Sequence, residues 1–424
     1  MIRRGALLGY FKKLGKNQRF IVTVLFLGAV VSIFDRMVMS LAITGIGDEF
    51  ALDASMKGII LSSFFLGYAI MTIPGGWLAD KFGSKIVIVI SIMAWSLFTG
   101  LSGLAWSVTS LIIIRFLFGL GEGGFPGAST KAIAEYLPRE KRPRSQAFIK
   151  SGDPVGLTLA PLIAVPIIVM FGWRAMFIFI AIVGVFLALS YLIIPKRDLS
   201  LIEQENMNHP KLSFKELLKL PRMWSFVIAW FGVCIYMWGF ASWLPSYLMM
   251  DRGLNLFNAG MLSAIPTTVG VMGTLLGGYL VGTVFLGRER YLFIIAGLFG
   301  AIFITAMYFT PSLGMAIFFQ ALVGLFMQAG MGGFWAVTHK AFPSNIIGSA
   351  AGLINFSGQI AGFISPMAIG FLITAMNGSF IAGIGFLVFG TLLFMVASIF
   401  IRVDDPNDKK KNKDEEIKLV DAVI

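Results

Sequence analysis

Residues 175–194 read AMFIFIAIVGVFLALSYLII and contain no charged side chain. A helix of about 20 such residues spans the hydrocarbon core of a bilayer, which is ~30 Å thick. Apolar runs of this kind recur along the whole chain of 424 residues, which is 57% hydrophobic and only 13% charged and has a mean hydropathy of +0.84. This composition excludes a soluble enzyme and predicts an all-α integral membrane protein.

Twelve apolar runs, separated by glycine, proline or charge, are predicted to be transmembrane helices. They lie at about residues 20–46, 57–79, 85–106, 108–130, 144–170, 174–194, 224–250, 258–284, 290–309, 313–338, 346–375 and 380–401. The most polar connection separates six runs from six. We therefore expect an N-terminal six-helix bundle over residues 1–194, a cytoplasmic linker over 195–223 and a C-terminal six-helix bundle over 224–401. Residues 402–424 form a Lys-rich cytoplasmic tail without apolar periodicity, for which disorder is predicted.

The formal net charge of +12, from 34 Lys and Arg against 22 Asp and Glu, is explained by where the basic residues lie. Most of them are in the two termini and in every second connection between the runs. Because cytoplasmic segments of membrane proteins carry an excess of Lys and Arg, both termini are predicted to be cytoplasmic, with the protein in the cell (inner) membrane. The expected environment is the lipid bilayer, and no nucleic acid is expected as a partner.

An internal repeat relates the two halves of the chain. GWLAD at 76–80 matches GYLVG at 278–282, GEGGF at 121–125 matches GMGGF at 330–334, and SGDPVG at 151–156 matches SGQIAG at 357–362. The offsets of 202, 209 and 206 residues are nearly constant and pair each run with the sixth run after it. The repeat predicts two pseudo-symmetric six-helix bundles with a binding site between them.

Five charged residues fall inside apolar runs of the first half: Asp35, Arg36, Arg115, Glu122 and Asp153. A charge at the bilayer centre costs about 2.5 to 3.5 kcal/mol, so each one needs a partner or a water-filled cavity. An arginine matches a carboxylate with its planar fork of donors, and a buried carboxyl group can carry a proton. These residues predict an anion site with proton coupling; the alternative is a structural network of ion pairs.

The second half offers neutral groups to such a site. Tyr236 and Trp238, deep in the seventh run, are candidates to stack on a ligand, and Asn355 and Gln359 in the eleventh run are candidates to donate hydrogen bonds. We find no Walker loop, paired thiolates or nucleophile motif in the sequence, which has one cysteine and two histidines. We therefore expect no cofactor, no metal and no enzymatic activity.

The connection after the second run reads GWLADKFGSK at residues 76–85. It resembles the signature loop of the major facilitator superfamily, whose fold is a twelve-helix bundle of two pseudo-symmetric halves. The resemblance implies a gating role for Gly76, Asp80 and Gly83. Ser84 stands at a position that is usually basic, and Gly282 replaces the acid in the second-half copy, which predicts a weaker gate there.

Within that superfamily the chain is similar to the anion:cation symporters, which include bacterial hexuronate, galactonate and glucarate transporters and relatives of the sialin type. The stretches that carry this likeness are FDR at 34–36, RFLFG at 115–119, Glu122, Pro126, SWLPSYL at 242–248 and NFSGQ at 355–359. The likeness implies that Arg36 binds the substrate carboxylate, that Asp35 and Glu122 are protonated, and that Arg115 modulates the carboxyl group on its own helix. Asp153 departs from the family pattern, since sugar-acid members tend to carry a neutral polar residue there.

The function expected from these features is proton-coupled uptake of a small organic anion by a monomer that alternates access to the two sides of the membrane. A sugar acid such as a hexuronate or an aldonate is the first candidate substrate. A dicarboxylate, an aromatic acid or anion exchange are the alternatives. A phosphate-ester exchanger would need a second arginine from the other half, a drug antiporter would not place arginines at its site, and a membrane sensor would carry a large output domain.

Overall fold

The computed structural model describes residues 14–194, 218–342 and 346–401. The predicted disorder of residues 402–424 falls outside this part of the chain, as does most of the predicted linker. Within it, the first half contains α1 (Lys16–Glu49), α2 (Ala54–Phe82), α3 (Ser84–Gly103), α4 (Val108–Gly123), α5 (Phe125–Tyr136), α6 (Arg142–Lys150) and α7 (Gly152–Leu192). The second half contains α8 (Pro221–Met250), α9 (Leu256–Gly282), α10 (Arg290–Phe309), α11 (Leu313–Ala341), α12 (Ile347–Ala375) and α13 (Ile381–Ile399).

Eleven continuous helical stretches of the described chain are long and apolar enough to cross a membrane. One of them contains α7, which is interrupted at Gly172, where φ is 83° and ψ is 163°. A positive φ of this size suits glycine, which has no Cβ to clash with the backbone. The break leaves two arms of about 20 residues, each ~30 Å long. With both arms counted, the described helices make the twelve crossings predicted from the sequence.

The repeat is visible in how corresponding helices begin. Asp53 at the start of α2 accepts a hydrogen bond from the third amide of its helix, and Asn255 does the same 202 residues later at the start of α9. Ser107 caps α4 and Ser312 caps α11 in the same way. Short polar side chains are favoured at these positions because they satisfy amides that have no partner within the helix.

Glycines let the same pairs of helices approach closely in both halves. A Cβ added to Gly67 of α2 would lie 2.1 Å from the carbonyl oxygen of Phe116 on α4. In the second half a Cβ on Gly273 of α9 would lie 2.3 Å from the carbonyl oxygen of Leu325 on α11. Small residues permit this packing between transmembrane helices, where van der Waals contact replaces the hydrophobic effect.

The two halves contact each other where α2 begins and α12 ends, which is the side of the bundle opposite residues 14 and 401. Ser55 of α2 donates a hydrogen bond from its hydroxyl to that of Thr374 on α12, at 2.8 Å. Close by, Gly58 packs on the backbone of Pro366 and Gly370 packs on that of Ala54. At the opposite end of α2, a Cβ on Gly76 would meet no atom within 4 Å, so that glycine borders open space.

Candidate functional site

Arg36 and Glu122 form a buried ion pair between α1 and α4. The Arg36 Nη2 lies 2.6 Å and its Nε 3.0 Å from the same oxygen, Oε1 of Glu122. The Ser32 hydroxyl donates a hydrogen bond to that oxygen as well. The other carboxylate oxygen, Oε2, is buried and has no hydrogen-bond partner. Glu122 therefore occupies the donor fork of Arg36 through one oxygen only.

Three aromatic rings pack against the Arg36 guanidinium. Its central carbon lies 4.4 Å from the ring centre of Tyr68, 4.8 Å from that of Phe64 and 5.7 Å from that of Trp238. Trp238 belongs to α8, so one of the three rings comes from the second half of the protein. Ring faces attract a cation and exclude water, which strengthens charge interactions with any anion that enters.

A second pair of opposite charges lies beside the first. The Thr99 hydroxyl on α3 donates a hydrogen bond to Oδ2 of Asp35. Oδ1 of Asp35 is 3.8 Å from Nη1 of Arg115, too far for a hydrogen bond, and neither of these atoms has another partner. The Arg115 guanidinium stacks on Phe118, 4.2 Å from the ring centre. Two arginines and two carboxylates are thus buried together, and their formal charges cancel.

A cavity of about 760 Å³, part of it open to solvent, lies between the halves next to Arg36. It is lined by Met37, Ser40, Leu41, Leu157, Pro161, Tyr236, Met237, Trp238, Phe240, Ala241, Leu244, Pro245, Ser263, Pro266, Thr267, Gly324 and Gln328. A smaller cavity of about 280 Å³ is lined by Arg36 and Arg115 and shares Met37 and Ser40 with the larger one. The two arginines therefore line a small cavity that adjoins the larger one at Met37 and Ser40.

Of the predicted substrate-binding residues in the second half, two line the larger cavity and two do not. Tyr236 and Trp238 line the larger cavity together with Gln328. Gln359 is buried with its Oε1 unpartnered, and Asn355 is half-buried, but neither lines one of the two cavities described here. Gln328 is not one of the predicted substrate-binding residues; it packs against Gly270 at the crossing of α9 and α11.

Asp153 lies away from the buried charges. It is in the first turn of α7 with its side chain 35% exposed, and its Oδ2 is 3.5 Å from Nζ of Lys150. The predicted span over residues 144–170 contains Asp153 near its beginning. The continuous helical stretch of the structure likewise begins at Arg144, so Asp153 lies close to the end of the span and not among the buried charges further along it. A role of Asp153 in proton coupling remains a prediction.

The residues of the predicted gate lie at the junction of α2 and α3. Asp80 accepts a hydrogen bond from Lys131 of α5 at 2.9 Å. Gly83 joins the two helices with a φ of 86°, a conformation that favours glycine. In the second half, Glu289 accepts a hydrogen bond from Lys340 at 3.3 Å, and both partners lie 209 residues after their counterparts. Aligning Asp80 with Gly282 overlooked this acid, because it comes from the beginning of α10 rather than the end of α9.

Among the described residues there is no group of three or more His, Cys, Asp or Glu side chains that could hold a metal ion. Cys234 is buried as a free thiol in α8.

Known proteins resemble this chain over most of its length. The family model described as Major Facilitator Superfamily matches residues 25–366 and 286–422. The chain is 29% identical over 403 residues to a hexuronate transporter of Bacillus subtilis strain 168, a match that covers 89% of this chain and 94% of the relative. It is 31% identical over 422 residues to a probable sulfoacetate transporter of Cupriavidus necator, with 93% and 97% covered. A probable galactarate/D-glucarate transporter of Escherichia coli K12 is 29% identical over 428 residues, with 92% and 96% covered.

Two kinds of solved structure share the fold. A bacterial homologue of the human lysosomal transporter Spinster, in an inward-facing and occupied conformation, superimposes with a TM-score of 0.79 at 20% identity. That match covers 92% of this chain and 99% of the other. A D-xylose–proton symporter superimposes with a TM-score of 0.72 at 19% identity and covers 91% and 98%. At these identities the likeness establishes the architecture alone.

Proposed function

Since the chain belongs to the Major Facilitator Superfamily and is a multi-pass membrane transporter rather than an enzyme, we propose that it takes up a small organic anion together with protons. The named substrates of the relatives, hexuronate, galactarate, glucarate and sulfoacetate, are organic acids. A sugar acid of the hexuronate or aldonate type is therefore the first substrate class to test.

The buried contact between Arg36 and Glu122 is the observation that supports this mechanism. While Glu122 is ionised, its carboxylate occupies the donor fork that a substrate carboxylate would need. A proton on Glu122 removes that negative charge and frees the fork. Protonation of Glu122 increases the affinity of Arg36 for the anion, and by linkage a bound anion favours the protonated form of Glu122. The unpartnered Oε2 of Glu122 is the position at which the proton would be added.

Asp35 and Arg115 are proposed to form a second coupling unit. Arg115 interacts electrostatically with both Asp35 and Glu122, so protonation of Asp35 would leave Arg115 to stabilise the remaining negative charge. Two protons carried with one monoanion would move one net positive charge inward. The membrane potential supplies about 2.3 kcal/mol per 100 mV for each such charge and would drive accumulation.

The proposed transport cycle follows from the placement of the contacts between halves. With both termini in the cytoplasm, as the distribution of basic residues predicts, the contacts of Ser55 and Gly58 close the external side. The described conformation would then be the one that releases substrate to the cytoplasm. Uptake requires the two bundles to rock about the central site so that these contacts open.

Uptake into proteoliposomes tests the proposal. A panel of labelled sugar acids, dicarboxylates and aromatic acids is offered with an inward proton gradient to the native protein, Arg36→Ala and Glu122→Gln. We expect the native protein to accumulate at least one acid, Arg36→Ala to lose uptake, and Glu122→Gln to retain exchange of that acid without a response to the gradient. Glu49→Gln is the matched control, since Glu49 pairs with Arg174 at the far end of α1.

Two outcomes would contradict the proposal. If no organic anion moves through the native protein, the anion assignment is wrong. If Arg36→Ala and Glu122→Gln both transport like the native protein and the Glu49→Gln control, the buried ion pairs stabilise the fold and take no part in coupling.

A further inference from the structure

Lys150 and Asp153 precede, on the same helical stretch, two residues that line the central cavity. Leu157 and Pro161 of α7 line the larger cavity. Residues spaced by three or four positions lie on one face of a helix, so Lys150, Asp153, Leu157 and Pro161 form a single stripe. Ser151, which joins α6 to α7, has helical backbone angles, so the stripe continues across the junction.

The height of this stripe is fixed by close packing against α1. A Cβ on Gly152 would lie 2.9 Å from the carbonyl oxygen of Phe26, and one on Gly156 would lie 2.5 Å from that of Val30. The turn that carries Lys150 and Asp153 is therefore level with residues 26–29 of α1. Arg36 lies at least seven residues further along the same helix, or about 10 Å along its axis.

Lys150 has one weak contact in its present position. Its side chain is 59% exposed, and its Nζ is 3.5 Å from Oδ2 of Asp153, a separation longer than that of a charge-assisted hydrogen bond. Exposed ion pairs of this kind contribute little stability, since water competes with both partners. Lys150 also lies within electrostatic range of Arg36, which places its charge within the field of the central site.

We propose that Lys150 is a second cationic subsite and that the transporter accepts short-chain organic dianions, with one carboxylate on Arg36 and the other acidic group on Lys150. The inference rests on the proposed function, since it requires the substrate carboxylate to bind Arg36. A lysine ammonium is a compact, hydrated point charge without the planar geometry of arginine, so it receives a carboxylate or a sulfonate equally well. Asp153 competes with the ligand for this cation.

The test compares acids that differ only in the second acidic group. Galactarate and galactonate share a carbon chain and differ by one terminal carboxylate, and sulfoacetate and glycolate form a shorter pair with the same contrast. Their KM values are measured in proteoliposomes with the native protein, Lys150→Gln and Asp153→Asn. Lys16→Gln is the control, because Lys16 is an exposed lysine at the beginning of α1, ~30 Å along the axis from Arg36.

We expect the native protein to favour at least one dianion over its matched monoanion. Lys150→Gln should raise the KM for that dianion about tenfold, as the loss of one charge-assisted contact predicts, and leave the monoanion within about twofold. Asp153→Asn should lower the KM for the dianion, since the competing carboxylate is gone. Lys16→Gln should change neither value.

The proposal is overturned if Lys150→Gln affects both members of each pair equally or affects neither. Uptake that depends on Arg36 but shows no preference for either dianion would leave the proposed function standing and remove this subsite. If the native protein transports none of the acids in either panel, both the function and the subsite are wrong.

Discussion

Corresponding positions of the two halves carry different chemistry on a similar scaffold. GEGGF at the end of α4 and GMGGF in α11 have the same glycines. The first motif places Glu122 against Arg36, whereas the second has Met331 at the corresponding position. The helix crossings that flank these motifs are equally close in both halves, as Gly67 and Gly273 demonstrate. The second half thus builds the same bundle without a buried carboxylate at this position. Packing alone does not require Glu122, and this favours a functional role for its charge.

The largest effect is expected when the first half receives the residue of the second. Glu122→Met would leave the Arg36 guanidinium buried without its partner, which costs about 3–5 kcal/mol of the free energy of unfolding. It would also abolish accumulation driven by a proton gradient, because no carboxylate remains to exchange with the substrate. Thermal unfolding in detergent and gradient-driven uptake measure the two effects.

Met331→Leu is the matched control for Glu122→Met and should change neither quantity by much, since it conserves volume and charge. Accumulation by Glu122→Met at the native level would show that Glu122 has no part in coupling.

Much of the fold followed from the sequence because apolar runs of membrane length are a strong signal. Even the junction between the fifth and sixth spans was predicted within two residues of Gly172, although the helix there continues on both sides of the glycine. The buried charges were identified because an intramembrane charge is costly and therefore rare. The pairing of Arg36 with Glu122 and of Arg115 with Asp35 was not predicted, because it depends on how α1, α3 and α4 rotate against each other.

Neutral polar residues were harder to assign to the site, because burying them in the membrane costs less free energy than burying a charge and no sequence spacing marks them. Asn355 and Gln359 were assigned to the site as neutral polar groups of the second half. Neither lines one of the two cavities, while Gln328 lines the larger one. Glu289 was missed for a different reason, since the repeat had been aligned through α9 and the acid lies beyond its end. Amide side chains occur on every face of a membrane helix, so only packing distinguishes them.

Alanine substitutions at the matched helix crossings test whether the helices of the two halves pack equally closely. Gly67→Ala and Gly273→Ala each force a methyl group onto a carbonyl oxygen at little more than 2 Å. We expect each to lower the free energy of unfolding by about 1–3 kcal/mol, the usual cost of overpacking, and by similar amounts. Gly278→Ala, where an added Cβ meets nothing within 4 Å, should be neutral in the same thermal unfolding experiment. A large effect at only one crossing would mean that the halves are packed by different means.

Arg36→Lys changes the cation of the buried ion pair and keeps its charge. The ammonium keeps the positive charge beside Glu122 but loses the planar fork and its stacking on Tyr68. We expect the KM of the preferred acid to rise about tenfold, corresponding to 1.4 kcal/mol, while uptake still responds to the proton gradient. Uptake at graded substrate concentrations, with and without the gradient, separates the two quantities. Loss of gradient response with an unchanged KM would assign Arg36 to coupling instead of binding.

The smallest effects are expected at the two acid–lysine pairs of the gate. Asp80 is 77% exposed in its pair with Lys131, whereas Glu289 is only 4% exposed in its pair with Lys340. Removing an exposed pair costs about 0–1 kcal/mol, so Asp80→Asn should barely change the thermal unfolding midpoint. Glu289→Gln should lower it more, because a buried carboxylate depends on its partners. If both pairs also hold the gate closed, each variant changes the maximal uptake rate and leaves KM unaltered, since neither acid lines either cavity. A larger loss of stability in Asp80→Asn than in Glu289→Gln would reverse the predicted ranking, and the second half would then have the weaker gate that its missing signature acid first suggested.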